Sequence, residues 1–517
     1  MNIFPDITKL PQMITVKTDD GTETFEGCGT VTSGDIKITV NNGMVLLTAD
    51  TSAVKRITLR WNFPMPYECR ILGDAWERGY GNLEWRGFDR DRVMPWYFSA
   101  VCGENIGCFG VKTLPDALCY FSCDRKGITL VCDTCSGSSG VILRGKTVTC
   151  AEIVCTEYKG DVSDALSDFA GRLVKRSVMP DKPVYGFNNW YYAYGNSSDE
   201  EIIENTKQLA RLTKGLENRP YMVIDDCWQK KHRFYSYGYN GGPWRESNAD
   251  FPDMKSLAQR ITETDVLPGI WFRPLQNADD SIDEKFYSDK ENFILDPTYP
   301  GVLEYIAEDV RTIVGWGYKL IKHDFSVFDT FNQWGRTMEA EPCRKAHKFY
   351  DNSVTNAQIT KSIYKTIFDA CDGKALIIGC NCIAHLGTGY FHIHRSGDDT
   401  SGREWERTRK LGVNTLAFRA HQHRKFFFAD ADCAGLTEKI DWNLNKEWLK
   451  LLAYSGTPMF VSVSPVTLNK EQEAYLAQML AAASEERETA KPVDWMNDMY
   501  PSEWIADNKE MSFEWIK

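Results

Sequence analysis

Four short apolar runs in this 517-residue chain end on ionisable side chains. One closes on Asp225-Asp226, one on Lys322-His323-Asp324, one on Arg395-Ser396-Gly397-Asp398-Asp399, and one carries Asp430 and Asp432. If these runs are strands, alternation puts Lys322 and Asp324 on the same side, where the ammonium lowers the carboxyl pKa and keeps Asp324 ionised. An ionised carboxylate at a strand end can serve as a nucleophile. Asp399 follows Arg395 on a different run and can face Asp324 across a gap. Two carboxyls across a sugar-sized gap, one ionised and one protonated, are the equipment for glycoside hydrolysis. One attacks the anomeric carbon; the other protonates the departing oxygen and later deprotonates water. Taken singly, each Asp is explained as well by helix capping or by pairing with Lys or Arg.

The elements that must hold these groups are legible as three blocks. Residues 1–176 contain alternating runs such as Ile36–Val40, punctuated by Asp20-Gly21, Ser33-Gly34 and Asn42-Gly43, which predicts an antiparallel β-sandwich. After the proline-bearing stretch 177–183, apolar runs alternate with helical patterns. Eight strand candidates follow: 184–190, 221–228, 266–272, 318–325, 375–382, 390–395, 425–432 and 458–464. That count and length predict a (β/α)8 barrel over 177–486, whose reacting groups belong at the C-terminal ends of the strands. Ser198 with Glu201, Pro300-Gly301 and residues 471–484 mark helices. Residues 487–517, with Trp495, Trp504 and Trp515, are too few for a separate core and predict a short β appendage.

The stretches Gly186–Trp190, Ile224-Asp-Asp-Cys-Trp228, Phe251–Leu257, Lys322-His-Asp324 and Arg395–Asp399, in this order, resemble the α-galactosidase (melibiase) clan of glycoside hydrolases, families 27 and 36. Leu72–Gly81 and Pro95-Trp-Tyr97 resemble the family 36 side. The resemblance implies a retaining enzyme that removes terminal α-linked galactose from an oligosaccharide or glycoside. Asp324 would be its nucleophile and Asp399 its acid/base, with Asp398 as the fallback. It further implies that Asp225 and Asp226 hold the 4- and 6-hydroxyls, that Lys322 and Arg395 donate to ring hydroxyls, and that Trp190 packs on the sugar. Trp228, Cys380 and Trp76 complete the expected sugar contacts. Gly379–Cys382 departs from the residues that read the 2-substituent in the clan, so an α-N-acetylgalactosaminidase, another α-glycosidase or a transglycosidase is the alternative within it.

Composition narrows the partners. With 60 basic and 72 acidic residues the formal charge is −12, which disfavours nucleic acid and anionic membranes. The start, MNIFPDITKLPQ, lacks a basic stretch followed by an apolar one, which favours a cytoplasmic protein without a signal peptide. Sixteen Cys are too sparse for a disulfide scaffold, and the lone Cys132-x-x-Cys135 is expected as buried thiols. Without GxxxxGK or GxGxxG no nucleotide cofactor is implied, and no metal is expected. Two rivals stand. His392 and His394, with His385, His421, His423, Cys380 and Cys382 nearby, could build a metal-dependent barrel hydrolase. Alternation opposes this, since an inward Arg395 turns both His392 and His394 toward the helices. The other rival is a carbohydrate-binding protein without turnover. Homo-oligomerisation is left open.

Overall fold

In the computed structural model, residues 3–27, 29–233, 239–464 and 468–516 are described. The first block forms a six-stranded and a seven-stranded antiparallel sheet. Ile36, Ile38 and Val40 alternate inward along the Ile36–Asn41 strand, and Asn42 and Gly43, both at positive φ, turn it back into Met44–Thr48. That turn suits the right-handed twist of the hairpin, which explains its Asn-Gly. The two sheets meet through apolar side chains: the Phe98 ring of one lies 5.4 Å from the Phe121 ring of the other. Cys132 and Cys135 are buried free thiols, while Cys28 lies outside the described residues.

The second block is one curled, parallel, nine-stranded sheet. In spatial order its strands are Phe428–Asp430, Ile393–Arg395, Leu376–Gly379, Leu320–His323, Leu267–Phe272, Tyr221–Ile224, Tyr185–Asn188, Met459–Val463 and Cys433–Leu436. Its two edge strands are neighbours in the chain, separated only by Ala431 and Asp432. This arrangement is compatible with a barrel. The strand expected over 425–432 is therefore only Phe428–Asp430, with a further strand, Cys433–Leu436, beyond it, because Asp432 takes φ +74° and bends the chain there.

Helices cover the sheet where their patterns predict. Ser198 caps Asp199–Leu212 by accepting from the Glu201 amide, and Gly301, at φ +96°, precedes Val302–Gly315. The latter buries Val302, Ile306, Val310 and Ile313, three or four residues apart on one face. Lys470–Ala483 forms the last helix. Lys491–Pro492, Glu503–Ala506 and Lys509–Ser512 make a small sheet whose neighbouring tryptophans are buried, Trp495 against Trp85 at 5.5 Å and Trp515 against Trp405 at 6.4 Å. No helix among the described residues is long and apolar enough to cross a membrane.

Candidate active site

A cavity of about 260 Å³ opens where the parallel strands end, and its lining includes Trp190, Asp225, Asp226, Trp271, Lys322, Asp324, Asn381, Asp398 and Asp399. Ligand sites generally start near 300 Å³, so the space suits a molecule of about one sugar ring. Asp324 and Asp399, from different strands, thus meet at one void.

Asp324 is held from three sides. Its Oδ1 accepts from the Phe325 amide at 2.7 Å and from Asn381 Nδ2, and its Oδ2 accepts from Trp271 Nε1 at 3.1 Å. Phe325 and Asn381 both adopt left-handed φ, at +62° and +50°. Such conformations are uncommon for residues other than glycine and cluster at functional sites. Burial alone would raise the Asp324 pKa, but Lys322 and then Arg78 outweigh it and hold the carboxyl below its ordinary value. Lys322 itself makes a direct ion pair with Asp225, Nζ to Oδ2 2.7 Å. Asp225 also accepts from Asn188 Nδ2 at 2.8 Å and from the Asp226 amide at 2.9 Å. Asp226 accepts from Gln229 Nε2 at 2.7 Å and faces His232 Nδ1 at 3.3 Å; burial pushes its pKa up.

Asp399 differs from expectation. It faces two guanidiniums, with Arg395 Nη2 at 3.2 Å and Arg78 Nη1 at 3.4 Å. Burial would raise its pKa, yet Arg78, Arg395 and Lys322 hold it down to about 2. Asp399 is therefore held ionised, where a protonated carboxyl was expected. Asp398 lies beside it, paired with Arg78 Nη2 at 2.5 Å and Arg407 Nη2 at 3.4 Å.

Four expected sugar contacts lie outside the lining. Arg395 is buried behind Asp399, also paired with Asp432 at 2.8 Å, and Cys380 sits beneath, its Sγ 3.7 Å from Arg395 Nη1. Trp228 is fully buried and donates Nε1 to the Trp271 carbonyl at 2.9 Å, so it supports Trp271 from below. Trp76 donates to the Glu339 carbonyl and packs edge-on to Trp96 at 5.4 Å, which makes it part of the sandwich interface. Conversely Arg78, Tyr80, Trp271, Trp334 and Asn381 line the cavity beyond the residues expected there. Asn381 stood one residue beyond Cys380, and Arg78 lay inside the Leu72–Gly81 motif.

The histidines are engaged separately. His394 Nε2 lies 3.1 Å from the Cys382 carbonyl, His385 Nε2 2.7 Å from the Val111 carbonyl, and His421 Nε2 2.8 Å from the Tyr97 hydroxyl. His392 and His423 accept from the amides of Ile377 and Ala429. Among the described residues no group of three or more His, Cys, Asp or Glu is arranged to hold a metal.

No protein-family model matches the chain. A rice (Oryza sativa subsp. japonica) α-galactosidase is 25% identical over 143 residues, 28% of this chain and 29% of the rice protein. The α-galactosidase mel1 of Schizosaccharomyces pombe is 26% identical over 229 residues, 39% of this chain and 46% of the yeast protein. The matched segments thus span less than half of both relatives. The α-galactosidase of Thermus thermophilus, solved with p-nitrophenyl α-D-galactopyranoside, superposes with a TM-score of 0.61 over 98% of both chains at 16% identity. At that identity the likeness is one of fold. The chain is α-galactosidase-like, in sequence over part of its length and in architecture over nearly all of it.

Proposed function

We propose that the protein is a retaining glycoside hydrolase that removes terminal α-linked galactose at the C-terminal end of a (β/α)8 barrel. The observation that carries this reading is the shared cavity of Asp324 and Asp399, sized for one sugar ring. In this reading the blocks 1–176, 177–486 and 487–517 are sandwich, barrel and appendage.

Asp324 attacks the anomeric carbon and forms a glycosyl ester while the aglycone oxygen leaves with a proton. Three hydrogen-bond donors orient its carboxylate, which removes the need to reorganise during attack. Asp399 delivers that proton and then takes one from the water that opens the ester. Held near pKa 2, it is almost wholly ionised and so weakly populated as the acid. The first half-reaction therefore favours aglycones that leave readily. Asp225 and Asp226 accept from sugar hydroxyls, and a misplaced hydroxyl leaves one of these buried carboxylates without its partner, a source of selectivity. Trp190 supplies an apolar wall.

Incubation with 4-nitrophenyl α-galactoside tests the proposal. Nitrophenol release that vanishes in Asp324→Ala, with α-galactose as the first anomer seen by proton NMR, supports it. Sugar binding with no release overturns it in favour of a binding protein, and release that follows bound zinc overturns it in favour of a metallohydrolase.

A further inference from the structure

The loop that bears Asp399 is not built by the parallel sheet alone. Segment 74–80, which belongs to the sandwich block, lies along it like an added strand. The Gly79 amide donates to the Ser396 carbonyl at 2.8 Å, and the Asp398 amide donates to the Gly79 carbonyl at 2.8 Å. Both glycines are required by this approach. A Cβ on Gly79 would stand 2.8 Å from Thr415 Cγ2, and one on Gly397 2.2 Å from the Leu411 carbonyl oxygen. The segment is anchored at its start by a buried ion pair, Asp74 Oδ1 to Arg419 Nη2 at 2.6 Å, and by Gln422 Nε2 donating to Asp74 Oδ2 at 3.0 Å.

These contacts fix one side chain that enters the cavity. Arg78 is buried, its Nη2 is 2.5 Å from Asp398 Oδ1, and its Nη1 is 3.4 Å from Asp399 Oδ1. Arg407 takes the other Asp398 oxygen. Asp398 and Asp399 thus both meet Arg78, each has a second arginine, Arg407 for Asp398 and Arg395 for Asp399, and both line the cavity. The same guanidinium also acts on Asp324 across the cavity. Resting on the hydrolase reading above, we propose that Arg78 is a positioning residue which the sandwich lends to the barrel. It bridges Asp398 and Asp399 at the end of their loop, and it sets the charge of both reacting carboxyls.

The role makes a signed demand. Turnover needs Asp324 ionised and Asp399 protonated, and a positive charge opposes protonation of both. Removing it raises both pKa values, so both limbs of the pH profile of kcat/KM move to higher pH, by about one unit each for a charge at this range. The experiment compares wild type, Arg78→Ala and Arg78→Lys on 4-nitrophenyl α-galactoside across pH. Arg78→Gln stands in if the alanine variant folds poorly. Lysine keeps the charge and loses the fork, so its limbs stay in place while kcat falls. Limbs that stay in place in a folded Arg78→Ala or Arg78→Gln variant overturn the proposal, because a purely architectural residue would lower stability without moving them. Carbon-13 titration of the Asp399 carboxyl, identified by its loss in Asp399→Asn, reads the same effect without turnover. An upward move in Arg78→Ala supports the role of Arg78 even if wild type hydrolyses nothing, a result that would count against the hydrolase reading alone; an unmoved carboxyl overturns it in either case.

Discussion

Replacing Lys322 by methionine removes one charge from the floor of the cavity at nearly constant length. Lys322 and Asp225 are 9% and 4% exposed, and their charges meet at 2.7 Å. Deleting one partner of a buried pair costs about 3–5 kcal/mol, since the survivor is left charged and desolvated. Asp225 keeps Asn188 Nδ2 and the Asp226 amide, so the lower end, about 3 kcal/mol, is expected here. A second effect falls on Asp324. Burial pushes its pKa up and Lys322 is the largest counterweight. Without that ammonium the pKa rises. In the proposed mechanism Asp324 must be ionised to attack, so activity is lost as pH falls through its pKa. In Lys322→Met that loss begins at correspondingly higher pH. The assay is the pH profile of kcat/KM, paired with a thermal melt at pH 7, and Lys322→Arg serves as the charge-preserving control. An acid limb that does not move in a folded Lys322→Met variant would refute the reasoning that Lys322 sets the charge of the nucleophile.

Glu77 is buried, Oε2 has no hydrogen-bond partner, and burial lifts its pKa from 4.5 to about 7. The folded state then holds a proton that the unfolded chain releases, so stability is full below about pH 4.5 and declines as pH climbs to about 7. Glu77→Gln cannot lose that proton. It should melt like wild type near pH 4 and exceed it at pH 8 by up to about 3 kcal/mol, read from melts at both pH values. Trp190→Ala strips the cavity wall and should raise KM about tenfold with little change in melting, whereas Trp228→Ala should cost about 3–5 kcal/mol of stability as a buried truncation. Titration kinetics and melting of the two variants separate wall from support. Asp432 accepts from Arg395 Nη2, the Thr400 amide and hydroxyl, and the Tyr191 hydroxyl. Asp432→Ala leaves Arg395 with its charge buried, so kcat should fall along with about 3 kcal/mol of stability. An unchanged kcat would place Arg395 outside the support of Asp399.

Much of the scaffold was readable because each strand and helix carries its own period and stop signals. The Asn42-Gly43 hairpin, the Ser198 cap and the spacing of Ile306, Val310 and Ile313 are local statements that the fold repeats. The acidic strand ends were readable for the same reason, since a strand that ends on Asp225 or Asp324 announces a polar rim. What escaped depends on contacts between distant segments. Arg78 reaches Asp399 only because Gly79 pairs with Gly397, and nothing near residue 78 announces that partner. The ionised state of Asp399 escaped with it, because one of the two guanidiniums that hold it comes from the other block. The place of Trp228 is not legible in the sequence because a tryptophan beside two aspartates looks alike whether it faces a cavity or the core; its burial and its Nε1 bond to Trp271 distinguish them. The bend at Asp432 was hidden because its left-handed backbone carries no glycine: its amide donates to Asp430 Oδ1, and Arg395, Thr400 and Tyr191 hold its carboxylate.

The most direct test of the central claim is to trap the covalent intermediate. The protein is incubated with an activated fluorinated galactosyl donor whose ester hydrolyses slowly, then digested and read by mass spectrometry. A single added fluorogalactosyl group on the peptide containing Asp324, absent from Asp324→Ala, is the predicted result. A label on another carboxylate, or full turnover of the donor by Asp324→Ala, would contradict the account.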